Sequence, residues 1–168
     1  MFNYIIAIFK RKINPEHARL IFNTSHLSKR RRNRSLLKSG VFLSKQTHIT
    51  PPFYYEYGNI NLIGDIFINA NCTFLDDEII TINSGTMIGP NVTLSTVSHQ
   101  TDPVKRHNKN ITAPITIGKN VWICAGAVVL PGVSIGDNSV IGANSVVNCD
   151  VPANSLYAGT PAIFKKTI

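Results

Sequence analysis

Among ordinary side chains, histidine is the one best suited near neutral pH to take a proton from an alcohol, because its unperturbed pKa lies close to that range. A base so placed contributes roughly 10²- to 10⁴-fold to a reaction rate. Two of the five histidines, His99 and His107, lie in one short stretch of the second half of the chain. Two histidines cannot supply the three imidazoles of a histidine-bound catalytic zinc ion, so no metal site is expected there. The three cysteines, Cys72, Cys124 and Cys149, form no C-x-x-C pair and no metal-ligand spacing. They argue against a disulfide scaffold and for a reducing compartment, taken as the cytoplasm. A lone loop histidine is ordinarily only a surface residue, so the surrounding pattern decides what His99 can do.

That pattern has a period of six. From Ile111 an aliphatic residue recurs at Ile117, Ile123, Val129, Ile135, Ile141 and Val147. Four residues after each stands a compact side chain: Ile115, Val121, Ala127, Val133, Ser139 and Ser145. Ile82, Ile88-Gly89 and Leu94 keep the register earlier, and it is more ragged around Ile63-Gly64. A helical face recurs at three and four, so no helix fits; short β-runs joined by Gly- or Asn-bearing corners do. One unit cannot bury its aliphatic residue alone, but coiling stacks equivalent positions about 4.8 Å apart and fills an interior. The repeat lapses between Leu94 and Ile111, which are not a multiple of six apart. Residues 97–110, with both histidines, must therefore leave the coil as a loop, where insertions in a solenoid place function.

The residues that carry this repeat resemble the hexapeptide-repeat transferases, and from about Phe22 onward the galactoside and maltose O-acetyltransferase group. The matching stretches are Pro51-Pro52-Phe53…Tyr57-Gly58, Asn69-Ala70-Asn71…Asp76-Asp77, Ile88-Gly89-Pro90-Asn91-Val92 and Ser98-His99…Asp102-Pro103. Further on come Val121-Trp122-Ile123, Pro131-Gly132-Val133, Ile141-Gly142-Ala143 and Ala158-Gly159-Thr160-Pro161-Ala162. The resemblance implies an all-β fold, a left-handed parallel β-helix, assembled as a homotrimer with active sites between subunits. It also implies acetyl transfer from acetyl-CoA, used as a co-substrate with no permanently bound cofactor, to a carbohydrate hydroxyl of a small saccharide or a capsule or lipopolysaccharide precursor. Transfer to serine or an antibiotic, and a trimeric scaffold without catalysis, are the alternatives. The serine enzymes carry a longer helical N-terminal domain than the first fifty residues here can supply.

Residue by residue, the His-x-x-Asp-Pro match makes His99 the base; nothing supports His107. Asn69 and Asp77 match polar positions that bind the acceptor, and Glu56 stands where an acceptor contact is placed, although Asn69 could equally belong to an asparagine ladder inside the coil. On the donor side Trp122 should border the pantetheine arm and the Ala125 N–H should face the thioester oxygen. Ala143 and Asn148 belong to the same binding edge, with Lys165 and Lys166 as partners for the CoA phosphates or as part of a solvated tail. Departures are Asn148-Cys149 in place of Thr-Lys, and Ile163 at a basic position, so weaker CoA binding is expected. No clear counterpart exists for the N-terminal acidic acceptor contact; Asn14-Pro15-Glu16-His17 comes nearest.

The elements that must hold these residues divide the chain at about residue 48. Residues 1–48 carry +10 and the rest −2 of the net charge of +8. The first part is expected to be a basic helical segment, and 49–168 the β-helix with its loop and a C-terminal tail. Met1 to Phe9 is apolar, too short to span a bilayer and unlike a signal peptide; it reads as an amphipathic helix on the protein body or a weak membrane-surface contact. The run Lys29 to Arg34 reads as a solvated helix face, or as a patch attracted to an anionic polysaccharide or membrane. Without a motif or interleaved aromatics, nucleic-acid binding is not expected.

Overall fold

In the computed structural model, which describes residues 11–24 and 26–168, the six-residue pattern winds into a three-faced parallel solenoid. The apolar start, Met1 to Phe9, lies outside the described residues. Face one carries the strands Phe42–Leu43, Ile60–Leu62, Ile80–Ile82, Ile115–Ile117 and Ser134–Ile135. Face two carries His48–Ile49, Phe67–Ile68, Met87–Ile88, Trp122–Ile123, Val140–Ile141 and Ser155–Ala158. Face three carries Phe53–Tyr55, Cys72–Leu75, Thr93–Ser95, Val128–Val129 and Val146–Val147. We call the bends between faces one and two, two and three, and three and one the first, second and third corners.

The aliphatic positions of the repeat point inward: Ile117, Ile123, Val129, Ile141 and Val147 are fully buried, and Ile135 nearly so. The compact positions turn inward too, at the corners. Where these are hydroxylic they bond the main chain, Ser139 Oγ donating to Pro152 O at 2.7 Å and Thr86 Oγ1 to Gly118 O at 2.9 Å. Asn71, Asn91, Asn120, Asn138, Asn144 and Asn154 take the left-handed conformation that a sharp corner needs and that asparagine tolerates better than most residues. Asn120, Asn138 and Asn154 form a side-chain ladder, with bonds of 3.0 and 2.9 Å. Asn69 is outside it.

Register explains why the early repeats look ragged. Thr116 pairs with Ser134 and Trp122 with Val140, steps of 18 residues, three hexapeptides. Phe42 pairs with Asn61 and Asn61 with Thr81, steps of 19 and 20. The extra residues sit in corners, so the ladder survives. The one large step, Thr81 to Thr116, holds the excursion, in which Val97–Ser98 pairs antiparallel with Ile111–Thr112 before the loop leaves the coil.

Two helices plug the start of the coil: α1, Pro15–Thr24, and α2, Lys29–Lys38. Ala18, Ile21 and Phe22 of α1 and Leu36 of α2 are buried, and Phe22 meets Phe53 edge to face at 6.4 Å. Asn23 fixes the seating, donating to Phe53 O at 3.0 Å and accepting from Phe53 N at 2.9 Å. The coil begins at Phe42, inside the segment assigned to the basic N-terminal part. Its first two strands have two residues each and alternate exposed and buried, too little for a periodicity reading to register. The tail is a strand instead: Ile163–Thr167 folds back antiparallel on Ser155–Ala158, with Tyr157 and Phe164 edge to face at 5.9 Å.

Because Ile123 is fully buried and lies in register between Ile88 and Ile141, Ile123→Ala leaves a void that a rigid stack cannot collapse. Denaturant unfolding should show a loss of about 2–5 kcal/mol.

Candidate functional site

The expected site residues fall on two separate corners. On the third corner Glu56 follows the first coil's face-three strand and Asp77 follows the second coil's. His99, exposed, follows the excursion's first strand in the third coil. A histidine and two carboxyls thus follow strands on one side of the coil. The Glu56 and Asp77 carboxyls are neighbours. Partial burial, then the charge of Asp77, pushes the Glu56 carboxyl above the usual carboxylate range, while Arg19 opposes the shift. The two carboxyls together present a cluster of hydrogen-bonding oxygens at this corner.

What holds this pair is Asp76, absent from the sequence reading as a functional residue. It is fully buried and accepts four main-chain N–H bonds, from Glu56 at 2.6 Å, Tyr57 at 3.1 Å, Gly58 at 2.6 Å and Asn59 at 2.7 Å. The corner that presents Glu56 is therefore wrapped around the side chain next to Asp77. Gly58 closes it with φ +92°, its missing Cβ leaving room for Ser39 O at 2.5 Å. Arg19 anchors the same stretch from α1, donating to the carbonyls of Tyr55 and Glu56 and lying 4.7 Å over the Tyr54 ring. The Asp-Asp pair was the only hint in the sequence. Asp102 does not orient His99: it caps its own loop, accepting from Val104 N at 2.9 Å and pairing with Lys105 at 3.9 Å.

The second corner carries Asn69 in the second coil, Gly89-Pro90 in the third, and Ala125 and Ala143 in the two after it. The main-chain N–H groups there are the useful feature. Asn69 Oδ1 takes the Ala70 N–H at 2.8 Å, and Pro90 has none to give. Ala125 and Ala143 donate to no acceptor among the described residues. Gly89 keeps the first of these bare, since a Cβ there would lie 2.7 Å from Ala125 N. Trp122, half exposed, stands beside this corner on face two between Met87 and Val140. Burial raises the thiol pKa of both Cys124, next to Ala125, and Cys72, the latter to about 11. Both thiols are therefore poor nucleophiles near neutral pH.

Asn148 is exposed on the third corner, away from Ala125 and Ala143. Lys165 and Lys166 are exposed on the reversed final strand. A single subunit therefore keeps His99 and the two carboxyls at one edge of face three and the bare N–H groups at the other. Among the described residues no group of three or more His, Cys, Asp or Glu could hold a metal ion, and no helix is long and apolar enough to cross a membrane.

The profile of the family Bacterial transferase hexapeptide (six repeats) matches residues 114–149. Galactoside O-acetyltransferase of Escherichia coli (strain K12) is 43% identical over 143 residues, 83% of this chain and 70% of the relative. Among solved structures, a hexapeptide-repeat acetyltransferase from Vibrio cholerae O1 biovar eltor complexed with acetyl coenzyme A superposes with a TM-score of 0.85. It is 39% identical, covering 91% of this chain and 84% of that one. A maltose O-acetyltransferase from Clostridium difficile 630 gives 0.86 at 35% identity, covering 91% and 83%.

The raised Glu56 carboxyl fixes a sign. A group that binds its proton more tightly folded than unfolded costs stability as pH rises through its folded pKa. Glu56→Gln should raise the melting temperature at pH 7, and the gain should fade as the pH falls below the ordinary carboxylate range. The same variant should weaken acceptor binding, read as a raised acceptor KM.

Proposed function

This chain belongs to the hexapeptide-repeat acetyltransferases, in the galactoside and maltose O-acetyltransferase group, and from that premise we propose that it acetylates a carbohydrate hydroxyl with His99 as general base. It is a CoA-dependent acyltransferase with acetyl-CoA as co-substrate. The observation that carries the acceptor assignment is the placing of a histidine and a pair of neighbouring carboxyls on one corner. Glu56 and Asp77 bond sugar hydroxyls while His99 takes the proton of the one that reacts. The resulting oxygen attacks the thioester carbon, and the charge that develops on the carbonyl oxygen is met by the Ala125 N–H. Preorganised donors of this kind are commonly the largest electrostatic contribution to acyl transfer. The C–S bond then breaks, and the departing CoA sulfur collects the proton held by His99. Asn69, whose side-chain amide N–H groups are left over after it caps Ala70, completes the acceptor contacts from the other edge.

Since the two edges lie apart on one subunit, a second copy must bring its Ala125 corner to the His99 corner of the first. We assign the active unit as a homotrimer with three shared sites, Trp122 lining the pantetheine arm at each, Ala143, Lys165 and Lys166 extending the donor side, and Asn148 reaching the donor only from the corner that carries His99.

Release of free thiol from acetyl-CoA, followed over a panel of saccharide acceptors, tests the chemistry. Acceptor-dependent turnover should fall at least about a hundredfold in His99→Ala, and equal rates in the two proteins would remove His99 from the mechanism. Subunit sharing has its own test. Gly89→Ala, which crowds the Ala125 N–H, and His99→Ala should each be inactive alone. Co-refolded in mixture they should recover activity, because some sites then combine an intact His99 edge with an intact Ala125 edge; no recovery would place both edges in one subunit's site.

A further inference from the structure

The basic run of α2 takes no part in the chemistry above, yet it lines a cleft. Between α2 and the first corner of the first coil lies a cavity of about 790 Å³ bounded by Lys29, Arg30, Asn33, Arg34, Leu37, Leu43, Ser44 and Lys45. That volume is within the range of about 300–1,000 Å³ common for small-ligand sites. Four of the lining residues are cations and none is acidic; indeed no Asp or Glu occurs between Glu16 and Glu56. The one salt bridge found among the described residues, Lys105 with Asp102, is elsewhere, so these four cations lack an ionic partner there. Crowding is felt next door, where burial and the charge of Arg34 lower the pKa of Lys38.

A second observation is independent of charge. Asn33 is only 9% exposed and lines this cleft, and its side-chain amide has no hydrogen-bond partner among the described residues. Its amide faces the cleft with its donors and acceptor uncommitted among the described residues, so a ligand with hydroxyl or acidic oxygens can take them in place of water. Arg31 and Arg32, of the same run, do not line the cleft: Arg31 is exposed elsewhere on the helix and Arg32 lies 5.6 Å over the Phe22 ring.

We propose that this cleft binds an anionic glycan chain, whose carboxylate or phosphate groups meet Lys29, Arg30, Arg34 and Lys45 and whose hydroxyls meet Asn33 and Ser44. The choice of a glycan rests on the carbohydrate reading of the acceptor; the cations and the unpaired amide do not. Leu37 and Leu43 offer apolar surface for sugar ring faces. A planar membrane surface would engage the outward Arg31 at least as well as a recessed Asn33, and so fits the cleft poorly. Because the cleft sits on a different corner and two coils away from the strand that leads to His99, it would hold a long acceptor beside the reacting segment.

Binding of oligogalacturonate and of phosphomannan, the carboxylate and phosphate probes, is measured by calorimetry without acetyl-CoA, with maltoheptaose and phosphatidylglycerol vesicles as comparisons. Arg30→Gln/Arg34→Gln should lose at least about tenfold in affinity for the better anionic glycan. Lys12→Gln/Arg31→Gln, which removes the same charge outside the cleft, should change it less than about threefold, and Asn33→Leu, which changes no charge, should lose about fivefold. Equal loss in the two double variants would overturn the proposal in favour of unspecific attraction. So would tighter binding to vesicles than to either glycan, or anionic glycans binding no better than maltoheptaose. Turnover on a short neutral saccharide should be unchanged in Arg30→Gln/Arg34→Gln, so failure of the cleft and failure of the carbohydrate reading give different results.

Discussion

Every coil must come back into register with the one before it, because each two- or three-residue strand satisfies its main-chain groups only through neighbouring coils. That constraint governs everything else in the molecule. It fixes which side chains face the interior, and it forbids insertions on the faces. Extra residues are admitted only where the chain bends, which is why the longer coils, the excursion and the candidate catalytic groups are all found at corners. The solenoid acts as a ruler: side chains one coil apart on the same corner are held at a near-constant spacing, so Glu56, Asp77 and His99 are aligned without contacts among all three.

The corners show how a regular frame tolerates local conflict. Glu56 and Asp77 are like charges held together by the wrapping of their neighbour Asp76, an arrangement that costs stability at neutral pH and has no use in packing. At the second corner Gly89 gives up a side chain so that an N–H above it stays unbonded. Both depart from what would stabilise the fold best, and both lie at the residues to which chemistry is assigned. Departures of this kind are expected to concentrate at functional sites.

The sequence made the later coils readable because they advance by 18 residues with an aliphatic residue at every sixth, and the excursion because it breaks that count. The early coils were harder, since steps of 19 and 20 shift the phase while the ladder stays intact. Phe42–Leu43, lying at the end of a basic stretch, gave no signal as a strand. Glu56 and Asp77 could each be picked out, but not their pairing, nor the role of Asp76, since these depend on contacts made between coils about twenty residues apart. Gly89 read as a repeat glycine; only the coil above it shows that its missing Cβ clears an amide. Lys165 and Lys166 read as a tail because nothing in the period foretells a reversal.

That reversal changes what the end of the coil offers to a neighbouring chain. A parallel coil ending in an open strand offers a template on which another chain could continue the winding, and stacking without limit is how such edges become fibres. Here the last strand runs against the direction a further coil would need, and it carries Lys165 and Lys166 on an exposed edge. At the opposite end α1 and α2 cover the first coil. Among the described residues the two ends are unlike each other and neither continues the winding, so both disfavour end-to-end stacking of coil upon coil.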